Sequence, residues 1–264
     1  MKTKEMMMNS RSWMNPLKGS AGLTLVVFVL LSACSKKSDD VAPAAKGVQV
    51  KADAHFGNII ADDLGKTLYF FSTDNAGSNT CTGGCIANWP IFYVSNPTLG
   101  SGLSQDDFAE ITTADGRKQT TYKGWPLYYF IDDKKAGDIF GDKSGNLWYV
   151  AKPDYEVMIS VNPANNKKYI VAPKGKTLYI FDNDANSTSS CTGACTTNWP
   201  AFTINTGNVP SLLTATNFSI VNGGQQATYK GKPLYYFGQD AVRGDLRGDG
   251  AANGLWHMID ETRF

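Results

Sequence analysis

One ten-residue pattern occurs four times and constrains what this chain can fold into more than any other feature. It reads "GKTLYFFSTD" at 65–74, "GWPLYYFIDD" at 124–133, "GKTLYIFDND" at 175–184 and "GKPLYYFGQD" at 231–240. All four obey Gly-x-x-Leu-Tyr-x-Phe-x-x-Asp. The motif residues are Tyr69, Phe71 and Asp74; Tyr128, Phe130 and Asp133; Tyr179, Phe181 and Asp184; Tyr235, Phe237 and Asp240. A tryptophan follows each Asp after 15, 15, 15 and 16 residues, at Trp89, Trp148, Trp199 and Trp256. Recurrence at a near-fixed period marks one supersecondary unit copied along the chain.

Each copy reads as four β-rich runs separated by turn residues. In the second copy these are "AEITTA", "KQTTYKG", "PLYYFID" and "LWYVAK"; in the first, "VQVKA", "NIIAD", "TLYFFS" and "WPIFYV". The expected class is therefore all-β, with four four-stranded antiparallel meanders at 47–97, 98–153, 154–208 and 209–264. Side chains alternate faces along a strand, so Leu68 and Phe70 point one way and Tyr69 and Phe71 the other. Both faces are bulky in every copy, as in a strand buried between layers. The motif Asp falls just past the strand end, where it can accept backbone N–H bonds and start a turn. Four similar units favour a propeller-like arrangement. The alternative is two tandem β-sandwich or barrel domains, formed by a first double repeat, 47–153, and a second, 154–264.

The N-terminal 33 residues have a different character. Lys2, Lys4, Arg11 and Lys18 precede the short apolar run "GLTLVVFVLL", and "LSAC" ends at Cys34. A membrane span needs about 20 apolar residues, more than this run supplies. The arrangement resembles the signal peptide and lipobox of bacterial lipoproteins. That resemblance implies cleavage before Cys34, lipidation of Cys34 and, with Ser35 following, an outer-membrane address. "SKKSDD" is similar to the surface-export signals of some bacterial lipoproteins. Residues 34–46 then read as a flexible tether, whose twelve or so residues span about 40 Å when extended. Without residues 1–33 the chain holds slightly more acidic than basic side chains, so it offers no clustered basic face for nucleic acid. Five of the seven Met also lie before residue 15, which argues against a Met-rich copper carrier.

Apart from Cys34, the cysteines form two pairs, Cys81 with Cys85 and Cys191 with Cys195, each in a Cys-Thr-Gly-x-Cys turn. In an exported protein such pairs are expected to be disulfides. A four-cysteine metal site would need the two distant pairs to converge, and haem attachment would need a Cys-x-x-Cys-His that neither provides. The segments between motif Asp and Trp are long for hairpin loops and are the expected functional face. Two of them, "KKAGDIFGDKSGN" and "AVRGDLRGDGAANG", offer Asp138 and Asp142, or Asp245 and Asp249, as hard oxygen ligands for calcium. Gly-Asp pairs are equally ordinary turn formers, and the reading adopted is no cofactor. No nucleophile elbow, zinc-protease helix or phosphate loop is present.

Taken together, "LYFFSTD", "CTGGCIANWP", "TYKGWPLYYFIDD" and "GDIFGDKSGNLWYV" resemble a family of bacterial secreted-repeat lipoproteins with a Tyr-x-Phe-x-x-Asp motif. The resemblance spans 47–264 and implies export, lipid anchoring and a domain whose activity is not known. The chain departs from it at Lys232, where the second copy has Trp125. The function read from the sequence is a lipid-anchored envelope module that binds or supports. It would touch the membrane through its anchor only and take an envelope protein or glycan as ligand. One alternative is an extracytoplasmic redox component using the Cys turns and aromatics; another is an envelope hydrolase.

Overall fold

The computed structural model describes residues 44–264 except Thr206. Cys34, the signal segment and the tether up to residue 43 lie outside the described residues. The last tether residues are already tied to the fold. The Lys46 amide donates to Asp63 Oδ1 at 3.0 Å, and its carbonyl accepts from Thr98 N at 3.1 Å.

The first repeat contributes β1 (Gly47–Asp53), β2 (Gly57–Asp62), β3 (Tyr69–Phe71), helix α1 (Gly84–Asn88) and β4 (Thr98–Leu99). The second adds β5 (Phe108–Thr112), β6 (Lys118–Tyr122), β7 (Trp125–Pro126) and β8 (Trp148–Val150). The third has β9 (Met158–Val161), β10 (Lys168–Val171), β11 (Tyr179–Phe181) and α2 (Ala194–Asn198). The fourth has β12 (Phe218–Val221), β13 (Gln226–Tyr229), β14 (Lys232–Pro233) and β15 (Trp256–Met258). The all-β class and the four repeats are thus observed, as small, mostly antiparallel sheets. No sheet among the described residues closes into a barrel.

The first two runs of each repeat pair with each other as expected, β1 with β2, β5 with β6, β9 with β10 and β12 with β13. The third and fourth runs do not stay within their own repeat. Strand β3 pairs with β8 of the second repeat, Phe70 opposite Tyr149, and β11 pairs with β15 of the fourth, Ile180 opposite His257. The exchange is returned. In the first repeat's "WPIFYV" run, Phe92 N donates to Leu127 O at 2.9 Å and Pro90 O accepts from Tyr129 N at 2.8 Å. That run forms only an isolated bridge, Ile91 to Tyr128, and no strand. The reason is chemical: Pro90 and Pro200 follow the tryptophans of the odd repeats and carry no N–H for a ladder. In the even repeats Tyr149 and His257 stand there, and the strand continues. Strand pairing therefore joins the repeats by twos, an arrangement compatible with a propeller.

The motif strand is walled in on both faces. Leu68, Tyr69 and Phe70 are all buried, as are Leu178, Tyr179 and Ile180. Backbone N–H and C=O of Tyr69 and Tyr128 bond each other at 2.9 Å in both directions, and Tyr179 and Tyr235 do the same at 2.9 and 3.0 Å. The motif tyrosines thus meet in two pairs, each close to a local two-fold. The pairs of repeats also pack together: Phe70 and Trp125 share one apolar cluster with Tyr155, Met158 and the cores of the third and fourth repeats.

Candidate functional site

The four motif copies are built around crossed bonds between Tyr and Asp. The Tyr69 hydroxyl donates to Asp133 Oδ2 at 2.7 Å and the Tyr128 hydroxyl to Asp74 Oδ2 at 2.5 Å. In the other pair, Tyr179 donates to Asp240 and Tyr235 to Asp184, both at 2.7 Å. Each tyrosine therefore serves the aspartate of its neighbour, not its own. The second carboxylate oxygens start loops. Asp74 Oδ1 accepts from Thr80 N and Oγ1, and Asp184 Oδ1 from Ser190 N and Oγ. Asp133 Oδ1 accepts from Phe140 N and Asp240 Oδ1 from Arg247 N. Burial dominates the electrostatics: it pushes Asp74 up to about 6, raises Asp133 and Asp240, and raises all four hydroxyls. These groups are held by one another and form a scaffold, with little left over to meet a substrate.

Above each crossed pair lies a stack of rings. Trp89 and Trp148 are parallel with centroids 3.8 Å apart, Phe71 covers Trp148 at 4.1 Å and Phe130 covers Trp89 at 4.4 Å. The other half repeats this with Trp199 and Trp256 at 3.6 Å, flanked by Phe181 at 4.3 Å and Phe237 at 4.3 Å. Such stacks add about 0.5–1.5 kcal/mol per pair to the area they bury. The even-repeat loops close over them at Gly141 and Gly248, whose amides donate to the Tyr69 and Tyr179 hydroxyls at 3.3 Å. A Cβ at Gly141 would come within 2.8 Å of the Trp89 ring, and one at Gly248 within 2.8 Å of Tyr179, so glycine is required for approach.

The cysteines lie as expected in the odd-repeat loops. Cys81 is bonded to Cys85 and Cys191 to Cys195, each with Cα atoms 5.3 Å apart. Each bridge spans the start of a five-residue helix, α1 or α2, that ends at the stacking tryptophan. Gly83 and Gly193, at φ 57° and ψ −128°, take a backbone conformation open to little but glycine. The two bridges are separate, so the four-cysteine metal alternative is not what forms.

The acidic loops do not assemble a calcium site. Asp138 Oδ2 accepts from the amides of Lys134 and Lys135, and Asp245 Oδ2 from those of Ala241 and Val242. Asp142 accepts from Val150 N and Asp249 from Met258 N, both at 2.9 Å. Asp138 and Asp245 thus close turns while Asp142 and Asp249 tie their loops to the following strand, and among the described residues no group of three or more His, Cys, Asp or Glu could hold a metal ion. His257 pairs at the surface with Asp182 at 2.9 Å.

The sequence reading missed the place where the four repeats meet. Arg243, in the fourth repeat's loop, reaches all of the others. Its Nε donates to Asn75 O at 2.7 Å, and its Nη1 to Lys123 O at 2.7 Å and Lys174 O at 3.0 Å. Its guanidinium lies 5.0 Å from the Trp125 ring, whose indole N–H donates to Pro173 O at 2.9 Å. Burial brings Arg243 down to about 10. Motif glycines make room: a Cβ at Gly124 or Gly175 would strike the guanidinium. Beside it opens a cleft of about 840 Å³. The available signal was asymmetry between the even copies. Trp125 stands where the fourth copy has Lys232, and Arg243 where the second has Ala136.

A protein-family profile described as a secreted repeat of unknown function matches four times, over 51–92, 109–152, 164–203 and 219–260. Neither a curated protein nor a solved structure matches the chain.

Proposed function

The chain belongs to this family of secreted repeats, which makes it an extracytoplasmic protein, and from that premise we propose that it is a binding or structural module of the cell envelope. It is held at the outer membrane by a lipid on Cys34 and carried clear of the headgroups by the tether that follows. No helix of the described residues is long and apolar enough to cross a membrane. Its ligand is an envelope component, protein or glycan.

The observation that carries this reading is the inward use of the motif. Every motif Tyr and Asp is buried and bonded to another part of the scaffold. The loops that leave this scaffold are free to differ while the frame stays fixed, which is how binding proteins divide labour. Nothing favours the redox or the hydrolase alternative: the thiols are consumed in local bridges and the motif carboxylates in turn formation.

Two measurements test the two parts. Cys34→Ser is expected to move the protein from the membrane to the soluble fraction; retention in the membrane removes the anchor. An extract of the envelope is expected to raise the melting temperature of the full chain, because a ligand that binds only the folded state stabilises it. An unchanged melting temperature removes the binding reading and leaves support alone.

A further inference from the structure

The cleft beside Arg243 has a chemistry of its own. Lys123, Lys174, Lys176 and Arg243 line it, and among the described residues no carboxylate does. The positive charge there is poorly compensated. Arg243 meets backbone carbonyls and the Trp125 ring but no carboxylate, and its Nη2 is buried without a hydrogen-bond partner. Lys174 is mostly exposed, and its nearest carboxylate oxygen, on Asp107, is 3.9 Å away. Lys176 donates only to the Asp240 carbonyl, at 3.4 Å, and feels the Asp240 carboxylate through space without a direct ion pair. Proteins ordinarily set a carboxylate beside a buried cation, because an unpaired charge away from water is costly. The remaining walls are apolar, with Pro173, Tyr236 and Val242 among them, and Val242 is left 62% exposed. The volume lies within the range of small-molecule sites, about 300–1,000 Å³.

We propose that this cleft binds a small organic anion, with a carboxylate, sulfonate or phosphate head set between Lys174, Lys176 and the Arg243 edge and an apolar body on Pro173, Tyr236 and Val242. The inference rests on the reading of the chain as a binding module and goes beyond it, adding a small-anion site to the envelope protein or glycan proposed there. Arg243 is fixed by its three carbonyls, so it supplies a standing field; the two lysines supply the direct contacts. Because both lysines are exposed, the affinity falls as salt rises.

The probe is naphthalene-2-sulfonate, with neutral 2-naphthalenemethanol as its partner. Both are dialysed to equilibrium against the full-length protein in phosphatidylcholine nanodiscs, with empty discs subtracted. The sulfonate is expected to bind saturably and more tightly than the alcohol. Lys174→Gln with Lys176→Gln is expected to weaken the sulfonate about tenfold while leaving the alcohol and the melting temperature unchanged. Equal binding of sulfonate and alcohol, full retention in the double variant, or no saturable uptake overturns the proposal. Discs containing phosphatidylglycerol separate the sources: displacement of the probe assigns the anion to a lipid headgroup, and undisturbed binding assigns it to a free solute. An envelope extract that still stabilises the double variant as it does the parent keeps the binding reading and removes this cleft from it.

Discussion

Asp74 is buried with a tyrosine hydroxyl, a threonine hydroxyl and one backbone amide as its partners, and burial holds its pKa at about 6. In the unfolded chain the same carboxyl titrates near 3.9. Between those values the folded protein keeps a proton that the unfolded chain has lost. Stability therefore falls as pH rises through that window and levels off above it, by up to about 3 kcal/mol from this group alone. Burial raises Asp133 and Asp240 too, so they act in the same direction. Lowered carboxyls such as Asp53 and Asp260 act in the opposite direction, so the parent's own pH curve is not diagnostic. The comparison that counts is with Asp74→Asn, whose melting temperature is expected to fall less steeply between pH 4 and pH 7 than the parent's (~2 pH units of the window, following the linkage relation). Parallel curves would show that folding does not raise the Asp74 pKa. At this scale the sequence was informative: the burial of Tyr69 and its three counterparts follows from the bulky residues on both faces of each copy. Which aspartate each tyrosine meets was not legible, because a repeat pattern is the same whether copies bond within themselves or across.

The short elements divide between odd and even repeats. An odd repeat ends its motif strand, makes a disulfide turn and a five-residue helix, and delivers Trp89 or Trp199 ahead of a proline. An even repeat makes a Gly-Asp loop and delivers Trp148 or Trp256 at the head of a strand. The bridge fixes the turn more than it fixes the chain, since its loop is short. Replacing Cys81 and Cys85 together by Ala is expected to cost about 2 kcal/mol in urea unfolding, toward the low end for disulfides. The circular-dichroism couplet of the two stacked tryptophan pairs should survive; its loss would mean that the bridge, and not the surrounding packing, positions Trp89. The prolines after Trp89 and Trp199 were visible in the sequence, yet "WPIFYV" reads as a strand on propensity alone. Trp89 and Phe92 are buried, Ile91 and Val94 are half-buried and Tyr93 is exposed, close to the alternation that pattern demands. What propensity omits is the ladder, and Pro90 leaves that run bonded only at intervals.

Across the whole molecule one side chain links four repeats. Arg243 satisfies carbonyls of the first, second and third from a loop of the fourth. Truncation leaves three carbonyls without their donor, two of them partly buried and the third, on Lys174, open to water, and each unmet buried polar group costs about 1–3 kcal/mol. Arg243→Ala is expected to lower stability on the order of 3 kcal/mol and to speed hydrogen exchange at the Trp125 indole, which bonds Pro173 across the same junction. Unchanged melting and exchange would make the arginine a bystander. Neither the junction nor the cleft could be read from the motif, since both are made by residues at which the copies differ.

The crossing of Tyr69 to Asp133 and Tyr128 to Asp74 has a further meaning. A solitary copy would hold one hydroxyl and one carboxylate with no complement in its own chain, and only a second copy could complete them. Each half of this molecule is thus a reciprocal pair, and the smallest piece of the fold that satisfies its own motif is two copies.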